Sequence, residues 1–342
     1  MSIFKDFQPT RLRRTRMQSW CRNLVRENII SVNDLIWPIF VREDDVPSEI
    51  STMPDVQRYD LKSLCHAVEQ GVDLGIQSVA LFPVISRAHK NAGATAAFDD
   101  SGILIKAIRT LKERFPHIGI ITDVALDPYT DHGQDGFIAG GKVQNDQTVE
   151  AMTRFALMQA QAGSDIIAPS DMMDGRVEAI RQTLDSNGYQ DVCIAAYAAK
   201  FASAFYGPYR DAVQSKDLLG KADKKTYQMD PANGREALRE VEQDILEGSD
   251  FLIIKPGMPY LDIVSKVCAS FEVPVISYHV SGEYAMLKLA AQNGLLNYND
   301  ALLESMMCFK RAGCSGIITY AAKEVAALLC AGDLDKTLEK AA

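Results

Sequence analysis

Hydrophobic residues recur along the chain in eight short apolar runs, and longer amphipathic stretches separate most of them. Runs of this kind are typical of strands buried on both faces of a parallel sheet. The predicted strands are 35–41, 78–83, 118–126, 166–169, 193–200, 251–256, 274–280 and 316–320. The predicted helices are 61–71, 102–115, 148–163, 177–187, 234–248, 260–271, 283–293 and 301–313, and several end in glycine or asparagine, which commonly stop helices.

Eightfold alternation of strand and helix predicts an α/β fold, a (β/α)8 TIM barrel, here with an extended N-terminal arm. A doubly wound sheet is the alternative, but the G-x-G-x-x-G turn of that fold does not follow the first strand. We predict that residues 1–34 form an arm that packs on another subunit, or otherwise a disordered tail, and that residues 35–342 form the catalytic barrel. Two long loops, 127–148 and 201–233, are expected to act as lids or to carry site residues.

Composition narrows the classes of function. Of the 342 residues, 47% are hydrophobic and 24% charged, which is ordinary for a globular protein. The net charge of −9 argues against a nucleic-acid partner, although residues 11–16 form a basic stretch that is either solvated or docks on an acidic sister subunit. No apolar stretch reaches the ~20 residues that span a membrane. Seven cysteines without a Cys-x-x-Cys pair predict reduced thiols in a cytoplasmic protein.

Two lysines are the strongest candidates for chemistry. Lys200 and Lys255 each end an apolar run, and a lysine at the C-terminal end of a barrel strand points into the mouth where active sites form. At the ordinary pKa of about 10.4, only about one lysine in a thousand is neutral near pH 7, and apolar surroundings raise that fraction. Only the neutral amine attacks a carbonyl, so the pair predicts Schiff-base formation with a ketone or aldehyde. The alternative is that each lysine reaches past the strand end to solvent.

An acidic loop follows the third predicted strand. It contains Asp123, Asp127, Asp131 and Asp135, together with His132. Its oxygens are suited to a hard cation, or Asp123 could orient a lysine or relay protons. The third possibility is a solvated turn.

A glycine-rich segment, 136–143, has the spacing G-x-x-x-x-G-K of a phosphate loop. It lacks the following serine or threonine that would hold magnesium, and it follows a polar loop instead of a strand. We therefore predict a glycine-rich flap.

The loop after Lys200 is basic and aromatic and includes Arg210, Lys224 and Gln228. Such a loop is suited to clamping a small carboxylate, since the guanidinium fork binds both oxygens. Surface charge is the alternative for each residue. Ser281 and Tyr320 follow the last two strands, where hydroxyls can bind a second carboxylate.

For three further residues, a purely structural role is an alternative to a functional one. His279 is expected to be a core histidine in preference to a catalyst. Asp174 and Glu240 can be ordinary charges at a helix terminus and on a helix face.

In combination these motifs resemble the porphobilinogen synthase family, also called 5-aminolevulinic acid dehydratases. The matching segments run in the family's order over nearly the whole barrel: 123–136, 167–175, 200–210, 227–229, 254–262, 280–286 and 310–313. The resemblance implies an asymmetric condensation of two 5-aminolevulinate molecules to porphobilinogen with loss of two waters. This is a hydro-lyase reaction of heme and tetrapyrrole biosynthesis.

The resemblance also implies roles for individual residues. Lys255 matches the lysine that forms the Schiff base in the A site, and Lys200 matches the one in the P site. Asp123 and Ser170 match polar residues near the lysines. The residues that match substrate-carboxylate positions are Arg210 and Lys224 under the lid with Gln228 as a nearby polar contact, and Ser281 with Tyr320 for the other carboxylate.

The metal requirement follows from a departure within the family. Zinc-dependent members place three cysteines where this chain has Ala125, Asp127 and Asp135, and these residues do not favour zinc as thiolates do. The chain therefore resembles the aspartate-rich branch, which does without catalytic zinc. There Glu240 matches an allosteric magnesium site at a subunit contact, with Asp174 expected to support it through water.

The family forms octamers built from dimers whose N-terminal arms embrace the partner barrel, and residues 1–34 fit such an arm. A class I aldolase with a single Schiff-base lysine on the same fold is the alternative function. A non-catalytic binding barrel is the second rival.

Overall fold

A closed barrel of eight parallel strands forms the centre of the molecule in the computed structural model, which describes residues 11–215, 217–220 and 222–332. The strands are β1 (Leu35–Arg42), β2 (Ser78–Val84), β3 (Gly119–Val124), β4 (Ile166–Pro169), β5 (Cys193–Lys200), β6 (Phe251–Lys255), β7 (Val275–His279) and β8 (Gly316–Thr319). Each pairs with the next along the chain, and β8 closes on β1 through Leu35↔Ile317 and Ile36↔Ile318. The predicted TIM barrel is confirmed.

The strands form where the apolar runs predict them because both of their faces are covered. Nearly every strand residue is buried, inside the barrel or under the helices, as parallel sheets require. Strands β4 and β5 have the predicted bounds, and the other six differ by no more than two residues at either end.

Helices surround the barrel. They are α1 (Ser19–Leu24), α2 (Leu61–Asp73), α3 (Ile103–Arg114), α4 (Asn145–Ala162), α5 (Arg176–Ser186), α6 (Gly207–Ala212), α7 (Gly234–Leu246), α8 (Leu261–Ser270), α9 (Ser281–Gln292), α10 (Tyr298–Ala312) and α11 (Ala322–Cys330). One expectation is corrected here. Two of the predicted helices, α9 and α10, both lie between β7 and β8, and α11, the helix that follows β8, was not predicted.

Helix ends follow local chemistry. The Asp60 side chain accepts a hydrogen bond from Ser63 N at 2.8 Å and caps the start of α2. Gly163 and Gly313 end α4 and α10 with φ of 108° and 107°, a conformation that favours glycine. A side chain at Gly313 would also meet Cys268, whose Cβ lies 2.8 Å from the position of an added Cβ.

The described part of the N-terminal segment, residues 11–34, contains a 3₁₀ helix (Leu12–Arg16), α1 and a second 3₁₀ turn (Val32–Asp34). Several of its apolar side chains face outward, among them Leu12, Trp20 and Leu24, which are 71%, 65% and 76% exposed. Residues 1–10 of the predicted arm and 333–342 of the predicted barrel domain lie outside the described residues. The division into arm and barrel stays a prediction.

The glycine-rich segment forms a short antiparallel hairpin, in which Ile138–Ala139 pairs with Lys142–Val143. Gly140 and Gly141 make its turn with φ of 57° and 76°, and a side chain at either would meet open space. This exposed hairpin agrees with the predicted flap.

Aromatic rings fill the barrel interior below the mouth. Phe40 packs on Phe82 and Tyr320, with ring centroids 6.1 and 5.7 Å apart. Tyr278 lies 6.3 Å from Phe82 and 6.0 Å from Tyr320. We call these four residues, with Tyr197, the aromatic floor. It gives the mouth a base of packed rings.

Within the part of the chain that the structure describes, no helix is both long enough and apolar enough to cross a membrane.

A buried ion pair joins two helices of the outer ring. The Arg176 guanidinium on α5 donates to both oxygens of Asp244 on α7, at 3.1 and 3.0 Å, and also to Tyr197 O at 3.2 Å. Both side chains are 3% exposed. Removal of Asp244 leaves the buried Arg176 charge with Asp171, 3.8 Å from its Nε, as its carboxylate partner among the described residues.

Asp244→Ala is therefore expected to destabilise the fold by about 3–5 kcal/mol. Urea unfolding followed by circular dichroism measures the loss. Glu242→Ala, an exposed position on the same helix, is the matched control. If both variants unfold at the same urea concentration, the pair does not hold α5 and α7 together.

Candidate active site

Lys200 and Lys255 lie side by side at the mouth. They end the adjacent strands β5 and β6 and are paired in register. Each is 6% exposed. The prediction that the two lysines share the barrel mouth is confirmed, and the alternative that they extend into solvent is wrong.

Aromatic rings surround Lys255. Its Nζ lies 4.5, 5.1, 5.2 and 5.4 Å from the ring centroids of Tyr278, Tyr209, Tyr197 and Tyr206. Among the described residues, no carboxylate lies within ion-pair distance of it. Burial, helped by the charge of Lys200, lowers the pKa of Lys255 to about 7. A large fraction of this amine is neutral near pH 7.

The surroundings of Lys200 are polar. Its ammonium pairs with Asp135 at 3.3 Å and donates to Ser170 O. A register shift in β5 between Ala196 and Ala199 brings Tyr197 and Lys200 to the same side of the strand. The Tyr197 ring is 5.9 Å from Lys200 Nζ, beside its contact with Lys255. Such bulges commonly re-aim side chains next to active sites.

The acidic loop supplies counter-charges for lysines. Lys224 Nζ lies 3.1 Å from Asp127 and 2.5 Å from Asp135. Burial would lower the pKa of Lys224, but the two carboxylates outweigh burial and raise it. Burial would likewise raise the pKa of Asp135, but Lys200 and Lys224 lower it. A solvated turn is wrong for Asp127 and Asp135, which are buried, whereas Asp131 is exposed.

Asp123 is buried beside both lysines. Burial raises its pKa to about 6, against the opposing charges of Lys200 and Lys255. Its Oδ1 has no hydrogen-bond partner among the described residues, while Ser170 lines the same cavity and opposes the rise in its pKa. A carboxyl that titrates near neutral pH next to two amines is equipped to relay protons.

One cavity brings most of the predicted site residues together. The predicted residues that line it are Asp123, Ser170, Lys200, Arg210, Lys224, Gln228 and Lys255. Tyr206, Tyr209 and Ser215 complete the wall together with Asp127. Arg210 comes from α6, and Lys224 and Gln228 come from the connection between α6 and α7.

Ser281 and Tyr320 lie on the other side of Lys255. Ser281 Oγ accepts a hydrogen bond from Tyr209 N at 2.9 Å. The Tyr320 hydroxyl is 3.0 Å from that of Tyr278, whose ring contacts Lys255. The two residues therefore reach the site through Tyr209 and Tyr278, and they are absent from the cavity wall.

Sequence reasoning missed the tyrosines around Lys255. Tyr206 and Tyr209 carried a signal, because they belong to the aromatic loop that follows Lys200. Tyr197 and Tyr278 lie inside apolar strands, where a tyrosine reads as core. His279 is such a core residue, as predicted: it is fully buried, its Nδ1 lies 3.0 Å from Thr319 Oγ1, and burial lowers its pKa to about 3.

Glu240 and Asp174 lie apart from the lysines, in the wall of a second cavity of about 850 Å³ that Glu236 also lines. Burial, with the charges of Asp244 and Asp174, raises the pKa of Glu240 against the opposing Arg176. A cation would relieve that crowding. Over the described ranges, however, no three histidine, cysteine, aspartate or glutamate side chains are grouped closely enough to hold a metal ion.

A sequence model of the delta-aminolevulinic acid dehydratase family matches residues 9–328. The chain belongs to this family. A relative of that name from Bradyrhizobium diazoefficiens is 51% identical over 92% of this chain and 90% of its own length. Another, from Rhodobacter capsulatus, is 49% identical over 96% of this chain and 98% of its own.

A solved structure supports the same family. The crystal structure of delta-aminolevulinic acid dehydratase (porphobilinogen synthase) from Toxoplasma gondii ME49, in complex with the reaction product porphobilinogen, superimposes with a TM-score of 0.92. It is 45% identical, and the alignment covers 94% of this chain and 91% of that one.

The lowered pKa of Lys255 predicts an unusual pH dependence. A lysine attacks a ketone only as the neutral amine, so a lowered pKa extends the reactive range to lower pH. We expect the rate of borohydride-trapped adduct formation between 5-aminolevulinate and Lys255 to rise with pH through a midpoint near pH 7 and to level off above it. Peptide mass spectrometry across a pH series measures this rate. A midpoint near the ordinary value of about 10.4 would contradict the buried, neutral amine.

Proposed function

We propose that this chain condenses two molecules of 5-aminolevulinate to porphobilinogen, with loss of two waters, as a hydro-lyase of tetrapyrrole biosynthesis. The observation that carries the proposal is the pair of lysines on adjacent strand ends in one buried cavity, in a chain of the delta-aminolevulinic acid dehydratase family. Two amines suit two ketones, and each ketone can be held as a Schiff base.

Lys255 attacks the ketone of the A-site substrate. The neutral amine forms the C–N bond, and the carbonyl oxygen leaves as water once it is protonated. Lys200 forms the corresponding bond with the P-site substrate after it passes a proton to Asp123, and that carbonyl oxygen also leaves as water. Asp123, whose pKa lies near 6 and whose charge interacts with both lysines, can give and take these protons.

Basic and hydroxyl groups hold the substrate carboxylates. Arg210 and Lys224 bind the carboxylate of the P-site substrate, with Gln228 as a polar contact, and the fact that all three line the lysine cavity supports this role. Ser281 and Tyr320 bind the A-site carboxylate. Since Lys224 already contacts Asp127 and Asp135, an incoming carboxylate shares that ammonium with them. Ser170, in the same cavity wall, favours the charged form of Asp123.

The single-lysine class I aldolase is the less favoured function, because the family match and the second buried lysine both argue for a two-substrate site. A non-catalytic barrel would have no use for a neutral amine at Lys255.

Substitution of each lysine tests the proposal. Lys255→Ala is expected to abolish porphobilinogen formation, because the A-site ketone then has no amine to attack. Lys200→Ala is expected to abolish turnover as well, while a borohydride-trapped substrate still forms on Lys255. Lys225→Ala, an exposed lysine between α6 and α7, is the control and should behave as wild type. Substantial turnover by Lys255→Ala or Lys200→Ala would contradict the two-lysine mechanism, and an aldolase would need only one of them.

Magnesium is the proposed metal, in an allosteric role, and no catalytic zinc is proposed. Glu240 would hold it, with Asp174 reaching it through water, since magnesium keeps several waters and needs only one or two carboxylates. The charges of Asp244, Asp174 and Glu236 act on Glu240, and a cation would offset their repulsion. Gln228 lines both this cavity and the lysine cavity, which connects the two regions.

The proposed assembly is a cytoplasmic homo-octamer built from dimers, in which the N-terminal arm packs on a partner barrel. The exposed apolar side chains of residues 11–34 support a packing role for the arm. Magnesium would favour this assembly and so affect activity indirectly.

The response to magnesium is expected to disappear in Glu240→Ala. Wild type should gain activity and shift toward the larger oligomer when magnesium is added, as measured by turnover and by size-exclusion chromatography with light scattering. Glu242→Ala, an exposed neighbour on α7, should respond as wild type. Zinc-selective chelation should change little, because Ala125, Asp127 and Asp135 stand where thiolates would bind zinc. A normal magnesium response in Glu240→Ala, or silencing by zinc removal, would overturn this assignment.

A further inference from the structure

Two buried cations hold the C-terminal end of helix α6. This short helix carries Tyr209 and Arg210, which both line the cavity of the two lysines. We call α6 the lid helix. The cations come from elsewhere in the barrel: Arg58 lies on the short strand Arg58–Tyr59, which pairs with β1 through Phe40↔Arg58, and Lys90 lies in the loop after β2.

The contacts of Arg58 reach the last carbonyls of the lid helix. Its Nε donates to Ala212 O at 2.6 Å, and its Nη2 donates to Asp211 O at 2.9 Å. On its other side, Nη1 donates to Pro47 O at 3.0 Å and to Glu49 O. The guanidinium thus links the loop after β1 directly to the lid helix, with 4% of the residue exposed.

Lys90 completes the contact. Its Nζ donates to Val213 O at 3.1 Å, and 7% of the residue is exposed. Consecutive carbonyls at residues 211, 212 and 213 therefore each accept a hydrogen bond from a buried cation. Carbonyls at a helix end lack partners within the helix and carry partial negative charge, so cations are stabilising there.

Among the described residues, neither cation has a carboxylate partner that could take the place of the lid-helix carbonyls. Across the described residues, no aspartate or glutamate lies within ion-pair distance of Arg58 or Lys90. Burial lowers the pKa of Lys90 to about 8, although Asp127 partly opposes this. Buried charges are rarely left without compensation, so loss of the lid carbonyls would cost both cations their main acceptors.

The opposite side of the lid helix is held at a different place. Tyr209 N donates to Ser281 Oγ at 2.9 Å. Thr52 and Ser51 hold the Asp211 carboxylate at 2.7 and 3.3 Å, but these contacts are exposed. Arg210 lies between the Ser281 contact and the Arg58 contact. Its position is fixed only when the lid helix makes both contacts.

We infer that Arg58 and Lys90 are positioning residues that latch the lid helix so that Tyr209 faces Lys255 and Arg210 faces the P-site carboxylate. The inference rests on the proposed function for its effect on turnover. The latch itself depends only on the contacts of the lid helix.

The test uses Arg58→Met and Lys90→Met in the full chain, with Arg58→Lys as the conservative variant. Arg87→Met is the matched control, because Arg87 also reaches the connection after α6 through Asp217, but its side chain is 58% exposed and an exposed pair contributes little. Loss of hydrogen bonds to a charged donor predicts a rise in KM for 5-aminolevulinate of about tenfold or more in Arg58→Met. The smaller change should be in kcat, and Arg58→Lys should recover part of the loss.

A second measurement reports the position of the lid helix without depending on turnover. Chymotryptic cleavage after Tyr209, followed by mass spectrometry without substrate, should be faster in Arg58→Met and Lys90→Met than in wild type or Arg87→Met. Circular dichroism confirms that each variant is folded, and Lys90→Met or Arg58→Lys serves if Arg58→Met does not fold. In an Arg210→Ala background, Arg58→Met should raise KM much less than it does alone, because both changes then act on the same contact.

The outcomes separate the two proposals. Wild-type cleavage and KM in folded Arg58→Met and Lys90→Met overturn the latch but leave the condensation reaction standing. Additive effects of Arg58→Met and Arg210→Ala also overturn it, since Arg58 would then act on stability alone. If wild type forms no porphobilinogen, the function fails, and cleavage after Tyr209 still decides whether the latch exists.

Discussion

The burial of the Lys255 amine against aromatic rings is the interaction on which the rest of the site depends. A lysine stays neutral near pH 7 only where its surroundings penalise the ammonium more than they stabilise it. Burial and the charge of Lys200 lower the pKa of Lys255 to about 7, against the opposing charges of Asp123, Asp127 and Asp135. The barrel supplies Tyr197 and Tyr278 from its strands, and the segment after β5 supplies Tyr206 and Tyr209.

The placement of carboxylates preserves that condition. Asp127 and Asp135 pair with Lys224 and Lys200, and a carboxylate within ion-pair distance of Lys255 would raise the pKa of that lysine. The two strand-end lysines consequently have different surroundings, one aromatic and one charged. Two identical substrates can react differently in one cavity only if the groups that bind them differ. Here the acidic loop creates the difference, because its carboxylates pair with Lys200 and not with Lys255.

The sequence predicts the barrel well because a strand that is buried on both faces appears in the sequence as a continuous apolar run. It misses α11, since the buried face of this nine-residue helix consists of Ala322, Val325 and Ala326, small side chains that leave a weak apolar pattern. The two lysines could be predicted as site residues because each ends such a run. The inward turn of Tyr197 could not be predicted, because it depends on a register shift within β5. The contacts of Arg58 and Lys90 could not be predicted either, because their acceptors are backbone carbonyls, which no pattern of side chains in the sequence reveals.

The neutral amine and the seated lid helix belong to one state of the site. Tyr209, on the lid helix, and Tyr206, just before it, provide two of the four rings around Lys255. Displacement of the helix would bring water in place of those rings, and hydration of the ammonium raises the pKa of the lysine toward its ordinary value. It would also remove the carbonyls that compensate Arg58 and Lys90. The position of the lid helix that compensates Arg58 and Lys90 therefore also keeps the Lys255 amine reactive, and this reactivity is confined to the enclosed cavity.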